Sequence, residues 1–318
     1  MSGLHQAVDD YLKLRRSLGY KLEIYGVYLR RFVAFLDERK SRHVTTKLAL
    51  EFATLERAYT PGVRVKRLLI VRGFARYLNG VDPANQIPPP GLLPDRKSRA
   101  HPYLYSAKEI RRLLEAAGKM HSPHYRHRLQ PWTYQCLLGL LAVTGMRLGE
   151  AINLRRRDVD WSEGMLTIHK TKFGKSRLVP LHPSTVKVLS AYVHRRDQIF
   201  ADDPDSPFLV TSRGTRLEHS NVSTIFYKLS RQIGIRRAGG GRGPRLHDFR
   251  HRFAIETLLR WYRTGEHVEH RLPALATYLG HVNVASTYWY LSCTPELMAS
   301  AGQLLEERWK GICDANAR

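Results

Sequence analysis

The segment Leu279-Gly280-His281-Val282-Asn283-Val284-Ala285-Ser286-Thr287-Tyr288-Trp289-Tyr290-Leu291 sets a histidine just after a Leu-Gly break. A short helix-compatible run follows, carrying two tyrosines. Alone, such a run suits core packing as readily as chemistry. Its meaning turns on whether residues elsewhere in the chain create a use for a tyrosine.

A chain of 318 residues favours two domains over one, and 43% hydrophobic residues suit globular cores. Lys and Arg number 52 against 28 Asp and Glu, a formal charge of +24, with a pI near 10.3. An excess of that size points to a polyanionic partner. The alternative is a basic surface kept for solubility. The first twenty residues are polar and helix-like, unlike a secretory leader. No apolar run is long enough to span a bilayer, so no membrane partner is expected. Cys136, Cys293 and Cys313 are odd in number and widely spaced, which supports neither a disulfide framework nor a Cys-based zinc site. The expected compartment is a reducing cytoplasm, with the protein at the nucleoid.

Working outward, Leu4, Val8, Tyr11, Leu14 and Leu18 recur at helical spacing up to Gly19, and Tyr25, Tyr28, Leu29, Phe32 and Leu36 form a second stripe. Thr45 is placed to cap a third helix through about Leu55. Pro61 can open a fourth, with Leu68, Val71, Ala75 and Leu78 on one face. The other face carries Arg64, Lys66, Arg67, Arg72 and Arg76, either a solvated surface or a helix laid on phosphates. The Pro-rich stretch from Gly80 to Pro94 and the basic residues after it read as a connection. The expected division is a helical bundle over 1–83, a linker over 84–103, a second domain over 104–295 and a tail over 296–318. In the second domain, Ser106 can cap a helix through Ala117, and Trp132 to Val143 reads as a buried helix. Met165 to His169 and Arg177 to Leu181 pair as a hairpin, Pro183 or Ser184 starts a helix, and Phe208 to Thr211 is a candidate third strand. The fold class is therefore mainly α with a small β-sheet.

Three places carry chemistry. Gly145 permits a sharp turn that can aim Arg147 from a rigid base, with Glu150 able to hold it by an ion pair. His247 and Arg250, three apart, share a helix face at a helix start, where anions are favoured; His247 could instead be a cap. His251 and Arg252 point elsewhere and read as basic surface. The third place is the opening segment.

Thr144-Gly145-Met146-Arg147-Leu148-Gly149-Glu150, then His247-Asp248-Phe249-Arg250-His251, then Leu279-Gly280-His281 followed by Tyr290, resembles the tyrosine recombinase (phage integrase) family. The order Arg, hairpin Lys, His-x-x-Arg, His, Tyr runs through the C-terminal two-thirds, and the N-terminal bundle resembles the family's core-DNA-binding domain. The resemblance implies an α+β catalytic domain in which Arg147 and Arg250 clamp one phosphodiester. Lys172 is then the general acid on the leaving 5′ oxygen, with Lys175 its rival and a further DNA contact. His247 assists proton transfer, His281 donates to the phosphate and Tyr290 is the nucleophile. Tyr288 is the weaker candidate, more suited to packing, and Thr287 occupies the usual intervening threonine position.

A phenol attacks poorly at its ordinary pKa near 10 and needs an electropositive pocket. The implied reaction forms a 3′-phosphotyrosine and frees a 5′-hydroxyl, reversibly and without ATP. No cofactor and no metal are expected. The implied partner is duplex DNA carrying specific sites, held by a homo-tetramer or related hetero-tetramer, for integration, excision or transposition of a mobile element. The alternatives are a relaxing enzyme of the type IB topoisomerase class and a catalytically inactive DNA-binding relative. The amphipathic tail, with Leu297, Ala301, Leu304, Leu305 and Trp309, either packs on its own domain or docks on a neighbouring subunit.

Overall fold

Apolar side chains three and four apart draw the first eighty residues into helices α1 (Gly3–Ser17), α2 (Glu23–Glu38), α3 (Thr46–Thr54) and α4 (Pro61–Asn79). The computed structural model describes residues 3–20, 22–56, 58–94, 101–120, 129–169, 176–237, 239, 243–281, 283–292, 295–299, 302, 303 and 306. The chain divides into two compact units, Met1–Ala100 and His101–Arg318.

In the first unit the Thr45 hydroxyl caps α3 by accepting from the Leu48 amide at 3.2 Å. Pro61 opens α4, where its missing N–H has no intrahelical role. Leu29, Phe32, Leu36, Leu68, Val71, Ala75 and Leu78 are buried as their spacing predicts. The α1 stripe is shorter than expected. Leu12 joins Leu4, Val8 and Tyr11 inside, while Leu14 stays exposed on the helix and Leu18 lies exposed beyond its end at Ser17, where Gly19 turns the chain at φ +87°. Asn85 and Pro88 are tied to this unit, with Asn85 Oδ1 accepting from the Val44 amide and the Pro88 carbonyl from Arg72.

Arg67 departs from the polar face on which its spacing placed it. It is only 2% exposed. Its guanidinium donates to the Phe52 carbonyl at 2.8 Å and lies 4.1 Å over the Phe52 ring and 4.7 Å over Tyr59. The last turn of α3 leaves that carbonyl without a helical partner, and the rings offer negative π faces, so a buried arginine is stable there. Lys66 and Arg76 are exposed, and Arg64 and Arg72 half-buried.

The second unit is built on α6 (Leu129–Thr144), which follows α5 (Ala107–Gly118). Ser106 and Glu109 close a capping box on α5. Leu137, Leu138, Leu140 and Leu141 of α6 are buried, whereas Trp132 and Val143 near its ends are exposed. The short α7 (Leu148–Asn153) leads to a sheet of β1 (Val159–Asp160), β2 (Met165–Ile168) and β3 (Arg177–Pro180) in the order β1-β2-β3, antiparallel throughout. Ile168 faces Arg177 across the hairpin. The third strand is β1, not the expected Phe208–Thr211. That segment makes a single isolated bridge, Val210 to Arg216, and buries Phe208, Leu209 and Val210 in the core instead.

Helices α8 (Pro183–Asp197), α9 (His219–Gln232), α10 (Asp248–Arg263), α11 (Val268–Leu279) and α12 (Ala285–Tyr288) complete the unit, and a 3-10 turn spans Trp289–Ser292. A separate apolar cluster joins Ala254 and Leu258 of α10, Leu272, Leu275 and Leu279 of α11, and Tyr290 and Leu297. Leu297 is therefore packed on its own domain. Ala301, Leu304, Leu305 and Trp309 of the tail lie outside the described residues.

Candidate active site

Thr144 ends α6 with its hydroxyl donating to the Leu140 carbonyl at 2.6 Å. Gly145 then turns the backbone at φ +60°, and a Cβ there would lie 2.7 Å from the Phe253 ring. Conformation and space both demand glycine. The turn delivers Arg147 to the N-cap of α7. Glu150 accepts from the Arg147 amide at 2.9 Å and from its guanidinium at 2.8 Å, the pairing anticipated from sequence. Arg177, not singled out beforehand, donates to both Glu150 oxygens at 3.0 and 2.7 Å. Burial by itself would raise the Glu150 pKa; the Arg177 and Arg147 hydrogen bonds override it and hold the carboxylate at about 2.

The start of α10 is fixed by Asp248, almost fully buried, which accepts from the Arg245 amide and guanidinium at 2.8 Å each. Tyr105 stacks on Phe249 at 4.4 Å and donates to the Arg245 carbonyl. Arg250, 1% exposed, donates to the carbonyls of Gly145 (3.0 Å) and Leu279. Burial and then the neighbouring Arg147 charge lower its pKa to about 10, so it stays cationic at neutral pH. His247 occupies the N-cap position of α10, as the capping alternative had it, but its side chain makes no capping hydrogen bond. The residue is exposed overall, yet desolvation by the atoms around it and the Arg250 charge push its pKa below the usual 6.5.

Gly280 ends α11 in the left-handed region at φ +65°, and a Cβ there would meet Arg177 Nη1 at 2.9 Å and Arg147 Nη1 at 3.5 Å. Arg147 also donates to the Gly280 carbonyl at 3.0 Å. His281 follows, its Nδ1 2.8 Å from the hydroxyl of the fully buried Thr287. Burial, then Arg250, Arg147 and His247, press the His281 pKa down to about 4. The Tyr290 ring lies 6.1 Å from His281 and nearly parallel to it. Tyr290 is 2% exposed, whereas Tyr288 is 51% exposed and is not the packing residue expected.

The structure thus brings Arg147, His247, Arg250, His281 and Tyr290 together. Lys172 and Lys175 lie outside the described residues; Arg177, at the start of β3, is tied to Glu150. His251 was misjudged as surface. Its ring meets His247 at 4.7 Å, Trp289 at 5.2 Å and Tyr290 at 5.5 Å, edge to face. A helix-face argument could pair it with His247, four residues back, but could not find Trp289 and Tyr290, which come from a segment some forty residues on. Arg252 is half-buried and donates to the Tyr105 carbonyl. Among the described residues no group of three or more His, Cys, Asp or Glu is placed to hold a metal ion, and no helix is long and apolar enough to cross a membrane.

Two guanidiniums, a third locked beside them, neutral imidazoles and a tyrosine form a cluster whose chemistry suits transesterification at a phosphodiester. A profile of the phage integrase family matches residues 104–296. The integrase/recombinase y4rB of Sinorhizobium fredii is 52% identical over 98% of this chain and 99% of its own. The tyrosine recombinase XerA of Thermococcus kodakarensis is 26% identical over 92% of each chain. Among solved structures, the Tn1549 transposon integrase in complex with transposon right end DNA superposes with a TM-score of 0.67 at 15% identity, covering 96% of this chain and 99% of that one. The chain belongs to the phage integrase family. Its enzyme class is that of the tyrosine recombinases, which break and rejoin DNA, and the relaxing-enzyme alternative finds no support among these relatives.

Proposed function

We propose that this enzyme cleaves duplex DNA at specific sites with Tyr290 as nucleophile, acting within its own subunit, and that it moves a mobile element. Arg147 and Arg250 grip the non-bridging oxygens of one phosphodiester. The phenol proton leaves toward His247, which desolvation and Arg250 keep neutral, with His251 between them. The Tyr290 oxygen bonds to phosphorus, the bond to the 5′ oxygen breaks, and Lys172 gives that oxygen its proton. The products are a 3′-phosphotyrosyl link and a 5′-hydroxyl; attack by a second 5′-hydroxyl reverses the step. Three arginines against one carboxylate stabilise the charge that builds on the transferring phosphate.

The observation that carries this reading is the seat of Tyr290, beside His281 and His251 of the same chain. Arg250 and Tyr290 are both almost closed to solvent, so admission of a phosphate between them requires the 285–292 segment to move. In the first unit, Lys66 and Arg76, with the half-buried Arg64 and Arg72, contact the DNA backbone; Arg67 serves the core instead. The Xer and lambda relatives solved on DNA include a tetramer on a Holliday junction, and we assign this chain a tetrameric synaptic assembly of the same kind.

A nicked suicide duplex carrying the element's ends tests the proposal. Wild-type enzyme accumulates a detergent-resistant protein–DNA adduct, and Tyr290→Phe accumulates none while binding the duplex equally well. Relaxation of plasmids lacking the sites, without recombinant product, overturns the recombinase reading.

A further inference from the structure

The contact between Thr287 and His281 decides which nitrogen of His281 carries its proton. Thr287 is 0% exposed, and a buried hydroxyl must place its hydrogen on an acceptor. Elsewhere in the second unit, helical threonines use the backbone. Thr133, Thr144, Thr257, Thr264 and Thr277 each donate to the carbonyl four residues before. Thr287 makes no such bond among the described residues; its hydroxyl meets His281 Nδ1 at 2.8 Å. An Nδ1 bearing a proton would leave that hydroxyl as acceptor only, with its own hydrogen stranded in the core.

We infer that Thr287 is a positioning residue that fixes the tautomer of His281: its hydroxyl donates to Nδ1, so the ring's single proton sits on Nε2, the nitrogen turned away from Thr287. The consequence is a neutral donor. The charged groups around His281 are Arg250, Arg147 and Arg177, with His247 beside them. They disfavour a second ring proton, so the imidazole cannot become an all-purpose donor by protonation. With Nδ1 occupied, Nε2–H is always presented, in the form needed to bond a phosphate oxygen whose charge grows during attack. The other tautomer would present a lone pair to an anion. The inference rests on the proposed role of His281 as a donor to the scissile phosphate, and it adds the residue that enforces that role.

The test uses full-length protein with 15N-labelled histidine, without DNA. In wild type, His281 Nδ1 gives the resonance of an unprotonated nitrogen and Nε2 that of an N–H nitrogen. Thr287→Ser keeps this pattern. Thr287→Val, close in shape but without the hydroxyl, loses it. On the suicide duplex, Thr287→Val slows adduct formation by about 10- to 100-fold with DNA affinity unchanged, and Thr287→Ser recovers most of the rate. A proton on Nδ1 in wild type, or a wild-type pattern in Thr287→Val, overturns the inference. If the pattern behaves as expected while His281→Ala cleaves normally, the tautomer assignment stands and only the proposed place of His281 in cleavage is lost.

Discussion

Glu150→Gln removes one charge and almost no volume from the centre of the site. In the wild type, both carboxylate oxygens are committed, to Arg147 on one side and Arg177 on the other. The side chain is 9% exposed, so solvent screens little of the interaction. Its pKa falls from 4.5 to about 2. That difference corresponds to about 3 kcal/mol of folding stability at pH 7. Because the folded-state value is the lower one, the contribution is complete above pH 4.5 and is lost as pH falls toward 2. The substituted amide would keep one acceptor for two guanidiniums, so the variant should unfold about 3 kcal/mol more easily in urea at pH 7. The gap should narrow by about 1 kcal/mol at pH 4 and about 2 kcal/mol at pH 3, as the wild-type carboxylate loses its advantage. The assay is a urea titration of both proteins at the three pH values, followed by tryptophan fluorescence. A gap that does not change with pH, or one below about 1 kcal/mol at pH 7, would refute the view that an ionised Glu150 ties the two arginines together.

Gly145→Ala combines a left-handed backbone with a contact 2.7 Å from the Phe253 ring, which is itself stacked on Tyr278. It should cost about 2–3 kcal/mol in thermal unfolding and depress cleavage further by displacing Arg147. In the first unit, Arg67→Ala should destabilise the bundle by about 2–4 kcal/mol without altering the salt dependence of DNA binding. Lys66→Ala and Arg76→Ala should leave stability intact, each reducing the slope of log affinity against log salt by about 1; the reverse pattern would return Arg67 to the DNA face. Adduct formation should fall on acidification as His247 takes up a proton, with a midpoint below its ordinary 6.5. A rapid-quench pH profile with a midpoint at or above 6.5 would contradict a desolvated, Arg250-facing imidazole.

Much of the site is legible in the sequence because it depends on short-range rules. Gly145 and Gly280 mark turns that only glycine makes comfortably, and each delivers a functional side chain one or two residues later. Thr45 and Ser106 start helices through contacts within three residues, and Pro61 through its fixed φ at the first helical position. What escaped depends on long-range packing. The helical wheel put Arg67 on the polar face and could not know that Phe52 and Tyr59 would enclose it. It likewise put His251 on the surface, although the turn at Trp289–Ser292 folds back over that ring. Arg177 looked like one more strand residue because its partner, Glu150, lies 27 positions away. Tyr288, expected to pack, is out in solvent, and it is the proposed nucleophile Tyr290 that lies in the core. β1, only two residues long, is too short to leave a periodic pattern.

The most direct test of the account locates the covalent bond. Adduct trapped on the suicide duplex is treated with nuclease and protease, and the peptide carrying the residual nucleotide is sequenced by mass spectrometry. The account predicts a nucleotide esterified to the Tyr290 oxygen; a nucleotide on Tyr288, or on any residue other than Tyr290, would contradict it.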